Sequence, residues 1–214
     1  MKGILEIKEK CTACMACYNI CPQESICMIE NEEGFILPEI DENLCSNCLL
    51  CEEVCPELNK SNEKPIKLIQ KAYYGWHNNE DIRKKSSSGG AFTAFADHIL
   101  KNNGIVFGAV YDSEKQMVLH KSTDECEPAA MRKSKYVQSY IGDSFKKVVT
   151  ALDNNKRVLF VGTPCQIAGL KMLCDHQNLI TCDFICHGVP SMKLLIDDLK
   201  LLEKKYDDNI ISFD

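Results

Sequence analysis

C-T-A-C-M-A-C-Y-N-I-C-P at 11–22 and C-S-N-C-L-L-C-E-E-V-C-P at 45–56 decide how this chain folds. Each run places three cysteines at intervals of three, a fourth four residues later, and then proline. The second run begins 34 residues after the first, so the region is a duplicated unit. C-x₂-C-x₂-C-x₃-C-P is the spacing of a [4Fe–4S] site, in which three thiolates hold one cluster and the fourth reaches the other. Soft thiolate ligands suit iron–sulfur clusters. The spacing assigns Cys11, Cys14, Cys17 and Cys55 to one cluster. It assigns Cys45, Cys48, Cys51 and Cys21 to the other. Pro22 and Pro56 fix the backbone just after each crossing cysteine. The alternative is a pair of structural Cys₄ zinc sites, but these usually use separated C-x₂₋₄-C pairs.

Such a module resembles the bacterial two-cluster ferredoxins, which move single electrons and do no bond chemistry. It takes about 60 residues, and a chain of 214 leaves room for a second core. Twenty-five Lys and Arg against 31 Asp and Glu leave a formal charge of −6. That balance argues against nucleic acid as a partner. The amino terminus, MKGILEIKEK, has no apolar leader segment. No apolar run approaches the ~20 residues of a membrane helix. A cytoplasmic protein with no membrane span is expected. Its 14 cysteines then read as ligands or buried thiols, because that compartment keeps thiols reduced. Oxygen-sensitive clusters fit an anaerobic setting.

The expected fold class is an α+β ferredoxin-like N-terminal domain followed by an α/β domain with a partly parallel sheet. Its divisions are 1–60, a linker at 61–70, and 71–214. A short strand is expected at 4–7. Residues 26–29 and 35–40 read as a hairpin turning at Asn31-Glu32-Glu33-Gly34. Cys27 falls outside the ligand register and reads as a packed thiol. Beyond the linker, the pattern predicts strands at 69–77, 105–111, 117–120, 157–161 and 179–185. Helices are expected at 91–100, with Phe92, Phe95, Ala96 and Ile99 inward, and at 124–130. A further helix is expected at 144–154, capped by Ser144, with Phe145, Val148, Val149 and Leu152 inward. Another runs over 165–173 behind Pro164. The last is capped by Ser191, with Leu195, Leu199, Leu202 and Tyr206 inward. Residues 210–214 read as the start of a strand. Strand–helix alternation of this kind argues an α/β unit.

A second constellation is R-K-K-S-S-S-G-G at 83–90. Small residues before a helix admit either an anion at the free N–H groups or a plain cap. It is neither a dinucleotide fingerprint nor a Walker loop. With S-K-Y-V-Q-S (134–139), G-T-P-C-Q-I-A-G-L-K (162–171) and D-F-I-C-H-G-V-P-S (183–191), it resembles the beta-subunit family of coenzyme F420 hydrogenase/dehydrogenase. The resemblance spans the whole chain.

That resemblance implies an iron–sulfur flavoprotein oxidoreductase. Electrons would pass between the clusters and FAD, and on to a hydride acceptor such as coenzyme F420 or another small organic molecule. It also admits a non-catalytic electron-transfer subunit. Partners would be a ferredoxin or a hydrogenase or dehydrogenase subunit. The FAD pyrophosphate is placed at Ser87, Ser88, Gly89 and Gly90 with Arg83 nearby, and the flavin beside Lys135, Tyr136 and Gln138. Cys165 and Cys186 follow buried strands and are candidate ligands of a third [4Fe–4S] cluster. Cys182, four residues before Cys186 on an expected strand, is a conceivable third ligand. His187 is a candidate proton donor. Cys126, Cys174 and Cys182 otherwise read as structural. Members of the family continue beyond this point with further cysteines. The chain is therefore expected to be truncated, to assemble two clusters and not three, and to bind FAD weakly.

Overall fold

The computed structural model describes residues 7, 10–60 and 71–208. The linker, the strand expected at 210–214 and nearly all of that expected at 4–7 lie outside them.

Helix α1 (Ala16–Ile20) follows the first cysteine loop, and α2 (Leu50–Glu53) follows the second. Between them β1 (Ile26–Glu30) pairs antiparallel with β2 (Ile36–Ile40). Gly34 closes the turn at φ 85°, where glycine meets no steric penalty.

The remaining strands form a five-stranded mixed sheet in the order β5–β4–β3–β6–β7. They are β3 (Ile105–Asp112), β4 (Met117–Ser122), β5 (Ser139–Tyr140), β6 (Val158–Val161) and β7 (Leu179–Cys182). The β3–β4 pair is antiparallel, and every other pairing is parallel. Short helix α3 (Glu80–Lys84) precedes α4 (Ala91–Lys101). Then come α5 (Ser144–Asp153), α6 (Pro164–Leu173) and α7 (Met192–Tyr206).

Alternation along β3 and β6 feeds two cores. Val106, Val110 and Leu159 pack with Ala96 and Ile99 of α4. Phe107, Val158 and Phe160 point the other way, toward Phe145 and Val148 of α5 and Ile167 and Leu170 of α6. Phe160 is the centre of that second core, with Phe145 edge-on at 5.4 Å and His120 stacked at 5.2 Å. Cys14, Met15, Ala16 and Val54 belong to the same core. The sequence divides the chain near residue 60, yet side-chain packing runs across that division.

Several local expectations need correction. Residues 71–77 are not a strand: Tyr73, Tyr74 and Trp76 are exposed, and β-prone residues without a pairing partner do not make a sheet. The helix expected at 124–130 shrinks to a 3₁₀ turn, Pro128–Met131. Pro128 biases Glu127 to extended backbone (ψ 140°) and blocks an α start before it. Asp143, not Ser144, holds the N-cap of α5, because the buried Ser144 hydroxyl donates to the His120 carbonyl. β7 stops at Cys182, where its partner β6 ends at Val161. Phe95 faces outward, and Thr93 takes its inward place. No residue of α7 is buried, and Leu202 and Tyr206 are exposed. Cys27 is exposed, not packed.

Candidate functional site

The two cysteine loops share one backbone plan. Ala13 and Met15 are left-handed (φ 52° and 62°), as are Asn47 and Leu49, 34 residues on (φ 57° and 64°). Left-handed residues turn the chain sharply, so successive cysteines face one centre. Each loop then enters a short helix at the same register, Ala16 or Leu50.

Two hollows result. Cys11, Cys14, Cys17 and Cys55 all line one of them. Cys21, Cys45, Cys48 and Cys51 line the other. Each therefore takes three cysteines from one run and the fourth from the other. Among the described residues, no three His, Cys, Asp or Glu side chains gather as a single ion requires. Four thiols around one hollow fit a cluster by number and by softness.

Burial in these loops disfavours bare thiolates, a cost that bound iron would offset. Burial pushes the Cys14 thiol up to about 12 and raises Cys11 and Cys17, while backbone N–H groups act the other way. Burial likewise raises Cys51. Cys21 ends lowered: burial raises it, but bonds from the Ser25 hydroxyl and nearby backbone N–H groups outweigh that. Metal ligation deprotonates thiols outright, so these buried thiols lose their protons on binding.

The first loop is walled in by the sheet unit. Asn19, 5% exposed, donates to the Gly142 carbonyl at 2.9 Å and accepts from Lys146 N at 3.2 Å. Ion pair Lys146–Glu24 spans 3.7 Å on the same side. The hairpin is fastened too. Gln138 exchanges two hydrogen bonds with the backbone of Ile36 (2.9 and 3.2 Å). Ser191 Oγ donates to the Glu33 carbonyl and Lys193 Nζ to that of Glu32.

A second meeting point lies at 134–139. Ser134 N donates to Ser87 Oγ at 2.9 Å. Gln138 N donates to the Pro190 carbonyl at 2.9 Å. Gln166 Nε2 donates to Ser139 Oγ at 2.9 Å. The 134–139 segment thus joins the Ser-Ser-Ser-Gly-Gly turn, the start of α6 and the loop after β7. The last two lie at the carboxyl ends of parallel strands, where ligands gather in such sheets.

A family model for a 4Fe-4S dicluster domain matches residues 10–58. Models for the N-terminal and C-terminal parts of the coenzyme F420 hydrogenase/dehydrogenase beta subunit match residues 72–144 and 155–214. The chain belongs to the coenzyme F420 hydrogenase/dehydrogenase beta-subunit family. It is an iron–sulfur member of that oxidoreductase family, in which the beta subunit works with other subunits. No curated protein matches the chain. Among the described residues, no helix is long and apolar enough to cross a membrane.

Against the flavin expected of this family, the turn at 86–90 answers in two ways. Gly90 (φ 80°) precedes α4, and no side chain caps that helix, so its first N–H groups suit an anion. Ser88 is exposed beside it. The other expected groups have partners already. Arg83 donates to the carbonyls of His77 and Asn78, and Lys135 to those of Ala130, Arg132 and Lys133. Burial lowers the Lys135 pKa to about 8. Gln138 is spent on Ile36, and Ser87 on Ser134. Gly89 is glycine for packing, since a Cβ there would meet the Gly75 carbonyl oxygen at 2.9 Å. Tyr136 is 79% exposed. The helix start is left without a side-chain cap, whereas Arg83, Lys135 and Gln138 hydrogen-bond the surrounding loops.

Cys165 sits in the first turn of α6, its Sγ 3.0 Å from Thr163 Oγ1. Cys186 lies in the loop after β7, where Gly188 N donates to its Sγ. Cys182 closes β7 and Cys186 lies beyond it, so the two do not sit on one strand as expected. His187 is exposed. Two residues escaped the sequence reading. Asn19 looks like any polar helix residue. Gly169, a lone glycine inside a helix, has no periodic signal of its own, and its packing reason shows only in the structure.

Proposed function

We propose that this chain passes electrons between two [4Fe–4S] clusters and FAD, and on to a hydride acceptor such as coenzyme F420 or another small organic molecule. The observation that carries the reading is the pair of hollows, each lined by three cysteines of one run and the fourth of the other. The eight cysteines are the proposed ligands, within a ferredoxin-like unit over 1–60 joined to a flavin-type unit over 71–214. A bound flavin would join one-electron transfer to hydride chemistry. The chain's own part is to hold the thiols in register and to offer the α4 start, with Ser88, Gly89 and Gly90, to the pyrophosphate.

Anaerobic purification tests both halves. Iron and sulfide should approach about eight each, from two complete ligand sets. Zinc as the sole metal would overturn the cluster assignment. Ser88→Glu should lower bound flavin per chain by like charge at the helix start while leaving iron unchanged. It is preferred to a Gly90 variant, which strains a backbone at φ 80°. An unchanged flavin ratio would reduce the turn to a simple junction. Turnover by the isolated chain with reduced ferredoxin and candidate acceptors favours the enzyme. Its absence, restored by a hydrogenase or dehydrogenase subunit, favours an electron-transfer subunit.

A further inference from the structure

Charge is divided unevenly along this chain. Residues 11–59 hold ten Asp and Glu and no Lys, Arg or His. Elsewhere the balance reverses, with 25 Lys and Arg against 21 Asp and Glu. Part of that acid flanks the second cysteine loop. Asp41 and Glu42 precede Leu44, whose N–H donates to the Asp41 carbonyl at 3.2 Å. Glu52 and Glu53 follow Leu49, and both donate their N–H groups to its carbonyl, at 2.9 and 3.2 Å. Asp41, Glu42 and Glu53 are exposed. Between these acidic pairs lies an open apolar surface. Leu44 is 56% exposed and Leu49 is 45% exposed. Leu49 lines the second hollow beside Cys48, which is itself exposed. Two bare leucines alone would be ordinary surface. Open apolar groups at a thiol-lined hollow, with carboxylates at the margin, have the anatomy of an interface core and its rim.

We propose that the second cysteine loop is a docking face for a redox protein presenting a basic patch, with Leu44 and Leu49 at its centre and Asp41, Glu42 and Glu53 at its rim. This rests on the reading of Cys21, Cys45, Cys48 and Cys51 as cluster ligands. Charge decides the occupant. A second copy in a two-fold contact would bring its own acidic loop to this one. Nucleic acid or an anionic membrane would bring phosphates. A cationic patch is attracted and oriented, which raises the rate of encounter, while the leucines supply contact that salt does not screen.

The test uses the full chain purified anaerobically with its clusters, reduced and then freed of reductant. The probes are native cytochrome c, a basic haem protein, and the same protein with its lysines succinylated. One electron leaves a reduced cluster and turns one ferric haem ferrous, read by haem absorbance. At low salt the native probe should be reduced about tenfold faster than the succinylated one. The gap should close as the screening length falls from about 30 Å at 0.01 M to about 10 Å at 0.1 M salt. Glu42→Gln with Glu53→Gln should slow the native probe about fivefold at low salt, with both cluster potentials unchanged. Glu80→Gln with Asp97→Asn removes the same charge from α3 and α4 and should leave the rate as it was. Leu44→Ser should slow transfer at high salt as well. Equal slowing by the two charge pairs, or equal rates for the two probes, would overturn the proposal. So would a parent that sediments as a dimer and becomes a monomer in Leu44→Ser, which would give the face to a second copy of this chain. A parent chain without cluster signals would instead overturn the underlying site assignment, and the proposal with it.

Discussion

The two cysteine runs are copies in sequence and in backbone, and they differ in what surrounds them. Ala13 and Met15 are 7% and 2% exposed, whereas their counterparts include Leu49 at 45% and an exposed Asn47. Cys14 is buried and Cys48 is exposed. The first run is buried from Ala13 to Ala16 in the core beneath the mixed sheet, whereas the second reaches it only at its end, through Val54, and its loop at Asn47–Leu49 faces solvent. Ligand geometry is thus set by the loop itself, while coupling to the rest of the protein is set by what packs behind it.

The largest expected effect tests that asymmetry at the ligands. Cys14→Ser and Cys48→Ser should each remove one cluster. Cys14→Ser also leaves a hydroxyl without its metal in a dry core, a cost of about 1–3 kcal/mol beyond the lost cluster. It should therefore melt well below Cys48→Ser, with iron content equal in the two. Equal melting temperatures would show that the first loop is no more a part of the core than the second.

A milder pair removes no ligand. Met15→Ala should cost about 2–5 kcal/mol, because Met15 is 2% exposed within the shared core. Leu49→Ala, at the equivalent position, should stay within about 1 kcal/mol. Anaerobic thermal melts at equal iron content compare them. Similar losses would mean that the two loops are packed alike.

Much of this was legible in the sequence, and the reasons are local. The cysteine spacing needs only a loop to express it, and β1 and β2 need only a polar turn ending in Gly34. The amphipathic pattern of α4 and α5 and the apolar runs of β3 and β6 follow from a sheet buried on both faces. Docking was not legible. It depends on Asn19 meeting Gly142, Gln138 meeting Ile36 and Gly169 meeting Cys14, pairs more than a hundred residues apart with no pattern of their own. The strand expected near Tyr73 failed for a related reason: propensity cannot say whether a pairing partner exists.

Acid should sharpen the comparison through the core that takes in more of the first loop than of the second. Burial holds His120 at a pKa of about 4, with Nδ1 unpaired and its ring stacked on Phe160. Between that value and the unfolded 6.5, the unfolded chain binds the extra proton, so stability is lost as pH falls through this window. The full loss is about 3 kcal/mol at 1.36 kcal/mol per unit. His120→Phe should flatten that slope in denaturant titrations at pH 4.5 to 7. An unchanged slope would place the acid sensitivity elsewhere, in the cluster ligands for example.

The smallest expected effect concerns the hairpin, which belongs to the duplicated unit yet is held by the sheet unit. Gln138 is the bridge. Its amide donates to the Ile36 carbonyl and accepts from the Ile36 N–H, much as a neighbouring strand would. Gln138→Ala frees both groups on a half-exposed edge, where water replaces the lost partners, so about 1 kcal/mol is expected. Global melting should barely move. Local opening should move more: amide exchange at Ile36 should quicken about fivefold, since 1 kcal/mol is that factor in an opening equilibrium. Exchange in β3 and β6 should stay as it was. If Ile36 exchanges no faster, the hairpin is held by Ser191, Lys193 and its own ladder, and the amide of Gln138 is free to serve the 134–139 segment in another way.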